Sequence, residues 1–220
     1  MSEIFKQDSN WVIIDSIGKD TLEFARSVLS DADDNDWSQY TSAKGPKSKQ
    51  QYVINPVWMP SQGHKEPANW PELRSTFETL VQRNLVLHSL MPGNWQKLHA
   101  CSAWTVIGEE GSYHTIHEHG PLNVCSVTYL EVPKDQEYPA GQLYFVMHGG
   151  SYNSLSVPAT RIFHINPQPG TIVIFPSWML HGVYPQGPGT RQTLNIDFSG
   201  DANYKFDIPH SGSASFNYIP

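Results

Sequence analysis

The rhythm of apolar positions changes near residue 100. Before it, apolar side chains recur at helical spacing. Leu22, Ala25 and Leu29 fall on one face of a segment over 20–30, and Leu73, Phe77, Leu80, Asn84 and Leu87 on one face of a longer one. Residues three and four apart share a helix face, so each stripe predicts a helix whose apolar side must cover a sheet. Pro71 stands where the longer helix begins, where a proline loses no intrahelical hydrogen bond. Asn84 is the one polar member of its stripe. Trp11–Ile14 and Tyr52–Met59 read as short extended pieces, the second interrupted by Pro56, and the loop 60–69 is polar and breaker-rich.

From Cys101 onward, short apolar or alternating runs follow one another between Gly and Pro turns. Strands are predicted near 101–108, 112–118, 122–131, 141–147, 161–166, 171–176, 180–184 and 190–198. So many short strands in succession predict two facing antiparallel sheets, a jelly roll, with the helices packed on one of them. The fold class is therefore mainly β with flanking helices. We read one domain over 1–220: mixed α/β support elements over 1–98, a β core over 99–199 and a tail over 200–220 without assignment. There is no internal repeat.

Composition sharpens this picture. The 220 residues suffice for one sizeable core, and 17 Pro with 16 Gly argue against a helical bundle. A net charge of −7, without basic runs, argues against nucleic acid as a partner. Cys101 and Cys125 are too few for a disulfide framework or a thiolate zinc cluster, so a reducing cytoplasm is the expected compartment. The segment MSEIFKQDSN lacks the features of a signal peptide, and no apolar run approaches the ~20 residues that cross a bilayer. No membrane association is expected.

Candidate chemistry sits in the β-rich half. Residues i and i+2 of a strand point the same way, so His117 and His119 project together and Glu118 points away. His181, from a distant strand, closes a three-imidazole face that leaves about three positions of an octahedral metal open. In a chain with ten His, an isolated H-x-H pair reads as two surface histidines. The context differs: Gly111 to His119 spells G-x5-H-x-H and Gly170 to His181 spells G-x5-P-x4-H. These resemble the two half-motifs of the cupin superfamily, in the order a double-stranded β-helix needs. The usual cupin Glu after the second His is absent, with Asn123 and Val124 in its place.

Arg191 lies ten residues beyond His181. On its strand Arg191, Thr193, Asn195 and Asp197 share one face, and Gln192, Leu194, Ile196 and Phe198 the other. The apolar face can pack under the helices; the polar face either lines a site or meets solvent. A fixed Arg is the usual two-point grip on a carboxylate, and Thr193 is placed to add a hydroxyl.

The order H-x-H, His and Arg resembles the 2-oxoglutarate/Fe(II)-dependent oxygenases. It is most similar to a little-characterised bacterial and phage branch with H-x-H-P, an S-G-x-Y-Y-L-like strand, F-P-S-W-L-x-H and R-x-S-x-x-F. Here the counterparts are His117 to Gly120, Cys125 to Leu130, Phe175 to His181 and Arg191 to Phe198, within roughly 100–199. The resemblance implies Fe(II) held by His117, His119 and His181. It implies 2-oxoglutarate as cosubstrate on Arg191 and Thr193, dioxygen as the other, and hydroxylation of an unidentified substrate. His119 departs from the pattern, which has Asp or Glu there. Three-His iron sites occur among cupin dioxygenases, but such a site leaves the ferrous charge uncompensated until the doubly charged cosubstrate binds, and another metal is an alternative. Glu118 cannot substitute on a regular strand.

Two further readings stay open: a cupin-type metalloenzyme that does not use 2-oxoglutarate, and a non-catalytic jelly-roll binding protein. The substrate, small molecule or protein, is not named by the sequence; the oligomeric state stays open, with a homodimer through the N-terminal elements as one assembly. His114 is expected on the opposite strand face from His117 and not to bind metal. His148 and His164 read as structural or exposed, Trp178 as core and Cys125 as a small buried hydrophobe. Alternation does not decide whether Tyr129 or Tyr144 faces the cosubstrate. The segment 147–161 reads as a lid or a plain loop. No nucleophile elbow supports a hydrolase.

Overall fold

Alternation in the β-rich half becomes a pair of facing sheets. The computed structural model describes residues 2–7, 9–30, 42–45, 48–54, 66–91, 93, 95–119, 124–149 and 159–201. Its elements in chain order are β1 (Glu3–Gln7), β2 (Asn10–Ser16), α1 (Lys19–Leu29), β3 (Ala43–Lys44), β4 (Lys49–Ile54) and α2 (Trp70–Leu87). Then follow β5 (His99–Gly108), β6 (Tyr113–His117), β7 (Val124–Glu131), β8 (Leu143–Gly149), β9 (Ala159–Ile165), β10 (Thr171–Pro176), β11 (His181–Val183) and β12 (Arg191–Ser199). A seven-stranded sheet runs β1-β2-β10-β7-β12-β5-β4 and a five-stranded one β3-β6-β11-β8-β9. The strands β5 to β12 pass back and forth between the sheets, and their pairings are antiparallel. This is the double-stranded β-helix, and each of its eight strands falls on a predicted one.

β12 divides the protein into two cores. Leu194, Ile196 and Phe198 pack with Ile172, Ile174 and Leu130 against Leu22, Ala25, Leu73 and Phe77 of the helices. Between the sheets lies a second cluster that includes Val127, Tyr129, Leu143, Phe145, Val173 and Phe175. Arg191, Thr193, Asn195 and Asp197 are buried on the side of the second cluster, set between β5 and β7: Thr193 opposes Val106 and Tyr129, and Asp197 opposes Ser102 and Cys125. The polar face thus lines the interior of the β-helix and does not meet solvent.

The N-terminal elements differ from expectation in detail. The stripe of α2 is rotated: Trp70, Leu73, Phe77, Val81, Asn84 and Leu85 are buried, Leu80 sits at the rim, and Leu87 is 67% exposed. The buried face is centred between Phe77 and Val81, so Leu87 in the last turn misses the sheet. Asn84 earns its place in the stripe by donating Nδ2 to Asp15 Oδ2 and to Leu80 O, both at 3.0 Å. Glu78, also buried, accepts from Arg74 Nε and from the backbone N of Ala100, each at 2.9 Å, and so pins α2 to the start of β5. β1 and β3 are additional edge strands. Tyr52–Met59 proves to be β4, which begins at Lys49; 55–65 lie outside the described residues, as do 150–158 of the proposed lid and 202–220 of the tail. Among the described residues, no helix is long and apolar enough to cross a membrane.

Candidate metal and cosubstrate site

His181 opens β11 directly opposite His117 on β6. His119 lies just beyond β6, where its backbone N donates to Ser177 O at 3.0 Å. The three rings face one another, with centroids 4.3 Å apart for 117–181, 5.0 Å for 119–181 and 5.3 Å for 117–119. One ligand atom from each lies within 4.8 Å of the others.

The other ring nitrogens show why this cluster suits a metal. His117 Nδ1 donates to Thr115 O at 2.7 Å, His181 Nδ1 to Met179 O at 2.8 Å, and His119 Nδ1 to Asp197 Oδ1 at 2.7 Å. Carbonyl and carboxylate oxygens only accept, so each Nδ1 carries the hydrogen and each Nε2 keeps its lone pair. Metal-binding imidazoles are held in this way. The residues therefore fit a metal such as iron, bound through three Nε2 atoms.

Burial, reinforced by the neighbouring His119, lowers the pKa of His117 to about 4 and that of His181 well below its ordinary value. Both rings stay neutral at pH 7 and need lose no proton to bind a metal. For the metal-free protein the sign follows. Between pH 6.5 and about 4 the unfolded chain takes up a proton at His117 that the folded chain refuses, so stability falls as pH drops through this window. Thermal melts of the metal-free protein should show this decline, with a shallower slope in His117→Gln; an equal slope in the variant removes His117 as a cause.

Arg191 is 3% exposed. Its Nη1 donates to Gly141 O at 3.2 Å, and among the described residues no carboxylate forms an ion pair with it. Gly108, opposite it on β5, makes room for Ser112: a Cβ there would lie 2.9 Å from Ser112 Cβ, and at an ordinary contact distance of 3.8 Å from Arg191 Nη2. Thr193 Oγ1 accepts from Asn195 Nδ2 at 3.1 Å, which leaves its own hydrogen to donate. Tyr129 points inward and Tyr144 outward, where it is in ring contact with Tyr184. Burial raises the Tyr129 pKa to about 12, so its phenol stays a donor.

Two expectations are corrected. His114 does not lie across the strand from His117. The β6–β11 register shifts between His181 and Val183, and both rings turn the same way, 6.1 Å apart, with Ser42 Oγ at 3.2 Å from His114 Nδ1 and from His117 Nε2. A register irregularity of this kind breaks simple alternation. Trp178 is 49% exposed, because the turn after β10 sends Met179 inward instead, with Met179 N bonded to Pro176 O. Cys125 is buried as expected, but it also stands beside His119 and Asp197. His164 is half-buried and bonded to Tyr138 Oη; the His148 side chain lies outside the described residues. Ser42 gave no sequence signal, and Asp197 was visible only as one of four polar residues on β12.

Comparison with known proteins agrees with this geometry. Residues 102–197 match the family model described as "Putative 2OG-Fe(II) oxygenase". No curated protein matches the sequence. HygX from Streptomyces hygroscopicus, solved with nickel, 2-oxoglutarate and hygromycin B bound, superposes with a TM-score of 0.58 at 14% identity, covering 90% of this chain and 86% of its own. An oxidoreductase of the 2OG-Fe(II) oxygenase family from Burkholderia pseudomallei gives 0.57 at 11% identity over 84% and 82%. The viral collagen prolyl hydroxylase of Paramecium bursaria Chlorella virus-1, in its 2-oxoglutarate complex, gives 0.52 at 15% over 85% and 94%. At such identities the structural likeness is one of fold. The family match covers the β-helix core, residues 102–197, and the fold around it is the one these oxygenases share. The protein is a 2-oxoglutarate-dependent dioxygenase, with iron and 2-oxoglutarate as its cofactor and cosubstrate.

Proposed function

We propose that His117, His119 and His181 hold the iron, that Arg191 and Thr193 hold the far carboxylate of 2-oxoglutarate, and that the enzyme hydroxylates a substrate still to be identified. The observation that carries this reading is Arg191. A guanidinium buried to 3% exposure without an anionic partner among the described residues is costly unless a ligand supplies the anion. It stands on the same interior face as Thr193, near His114 and hence beside the histidine cluster.

Iron with bound 2-oxoglutarate supplies the oxidative chemistry, coupling dioxygen reduction and decarboxylation to succinate with oxidation of a substrate C–H bond. The protein's own residues bind and orient. Thr193 and the Tyr129 phenol offer donors near Arg191, so a carboxylate there meets a cation and two hydroxyls. Phe145 and Phe175 pack against His181 and keep its ring side dry. Trp104 and Phe175 do the same for His119.

Purified protein given Fe(II), 2-oxoglutarate and oxygen should release succinate, slowly without substrate and faster with it. A protein that binds iron but never consumes 2-oxoglutarate would favour the cupin-type enzyme, with Arg191 on the substrate's own carboxylate. The finer likeness to the bacterial and phage branch, on F-P-S-W-M-L-H, belongs to the same proposal.

A further inference from the structure

We propose that Asp197 is the carboxylate this metal site lacks among its ligands: it stands behind His119, orients the ring and delivers its negative charge to the metal through the imidazole. The inference rests on the proposed metal site and assigns a positioning role within it.

Asp197 is 5% exposed. Its Oδ1 accepts from His119 Nδ1 at 2.7 Å, and this is its only ion-pair contact among the described residues. No Lys or Arg among them approaches it. Cys125, opposite it on β7, presents a thiol to the carboxylate; burial and the Asp197 charge hold that thiol protonated. Cys101 Sγ donates to the Asp197 backbone carbonyl at 3.2 Å. A buried carboxylate with a thiol and one imidazole about it is expensive unless a cation stands nearby. Two places could take that cation: one between His119, Cys125 and Asp197, and one on the far side of the His119 ring, where His117 and His181 bring two more imidazoles. The second offers three neutral nitrogens and needs no thiol to lose its proton.

The three ring anchors are not equivalent. His117 and His181 donate to backbone carbonyls, which are neutral. His119 alone donates to a carboxylate, and it alone occupies the position where the superfamily pattern has Asp or Glu. The negative charge stands one hydrogen bond further out, on β12. A carboxylate behind a metal-bound imidazole makes that ligand a stronger donor, and removing such a partner typically costs about 10–100-fold in metal affinity. Trp104 and Phe175 flank His119, with centroids 5.5 Å and 6.2 Å from it, so Asp197 is the polar contact that fixes its tautomer.

The test is Co(II) binding to metal-free protein, read by titration and by the visible d–d absorption, with circular dichroism to confirm folding. Wild type that binds no Co(II) or Fe(II) would defeat the metal site itself, whatever Asp197 does. If wild type binds, Asp197→Asn should weaken Co(II) binding about tenfold to a hundredfold and shift the d–d bands. Relocating the charge then separates electrostatics from structure. In a His119→Asp background no imidazole links Asp197 to the metal, so adding Asp197→Asn should change Co(II) affinity far less than it does in wild type. An equal loss in both backgrounds would mean that Asp197 does not act through the His119 ring, and would overturn the inference. If His119→Asp binds no cobalt in either form, the wild-type background decides: unmoved bands and unchanged affinity in Asp197→Asn overturn it. A thiolate-to-cobalt band that disappears in Cys125→Ser would also overturn it, by placing the metal between Cys125 and Asp197.

Discussion

His181→Ala should leave a folded protein that retains no iron and makes no succinate, with turnover down by more than about a thousandfold, or roughly 4 kcal/mol of lost stabilisation. His181 is the best-anchored of the three histidines. It is 3% exposed, it begins a strand held on one side by β6 and on the other by β8, and its Nδ1 is fixed on Met179 O. Two imidazoles cannot replace three, because the remaining pair comes from one short stretch of chain and grips the metal from one side. Iron content after anaerobic loading and succinate release both read the effect, and His181→Gln controls for the lost volume. Iron retained at the wild-type level would remove His181 from the ligand set.

Arg191→Ala should raise the KM for 2-oxoglutarate at least about thirtyfold. Truncating one member of a buried, hydrogen-bonded charge pair costs about 2–5 kcal/mol, and here the pair forms only when the cosubstrate arrives. The free protein should tolerate the change, since Arg191 gives up a single hydrogen bond, to Gly141 O, and no ion pair among the described residues. Binding and stability should therefore separate: a large loss in KM beside a small shift in Tm. Arg191→Lys should fall between, keeping the charge and losing the two-point geometry. A KM that does not move in Arg191→Ala would give this residue to the substrate and not to 2-oxoglutarate.

The barrel was legible because its signals are local. The strands β5 to β12 are short apolar or alternating runs in a stretch punctuated by Gly and Pro, and where a strand alternates, burial on one face enforces the register that alternation announces. The same rule placed Leu194, Ile196 and Phe198 under the helices and their neighbours inside. It failed where the backbone departs from regular pleating. His114 joins His117 because the register slips near Gly182, which packs so closely that a Cβ would lie 2.6 Å from Tyr144 Oη and 3.0 Å from His114 O. β1 was missed because an edge strand with Phe5 38% exposed needs little apolar content. Leu87 was misassigned because a stripe of leucines does not say where a helix outruns its sheet. The three histidines were legible as a set, and the structure brings them together. Their supports were not: Ser42 comes from a stretch without pattern, and the Asp197–His119 contact joins residues 78 positions apart.

β12 makes neighbouring residues answer to different demands. Arg191, Thr193, Asn195 and Asp197 are buried on the interior face beside the proposed site, and Gln192, Leu194, Ile196 and Phe198 alternate with them on the side of the helices. Its tolerance to change should alternate likewise. Variation at the first set can redirect activity while the molecule keeps its shape, and variation at the second threatens the shape while the reaction machinery is untouched. The strand is thus open to point-by-point adaptation and closed to insertion or deletion. Removing one residue would exchange the two sets, sending leucine and phenylalanine into the interior beside the histidines and the guanidinium beneath the helices.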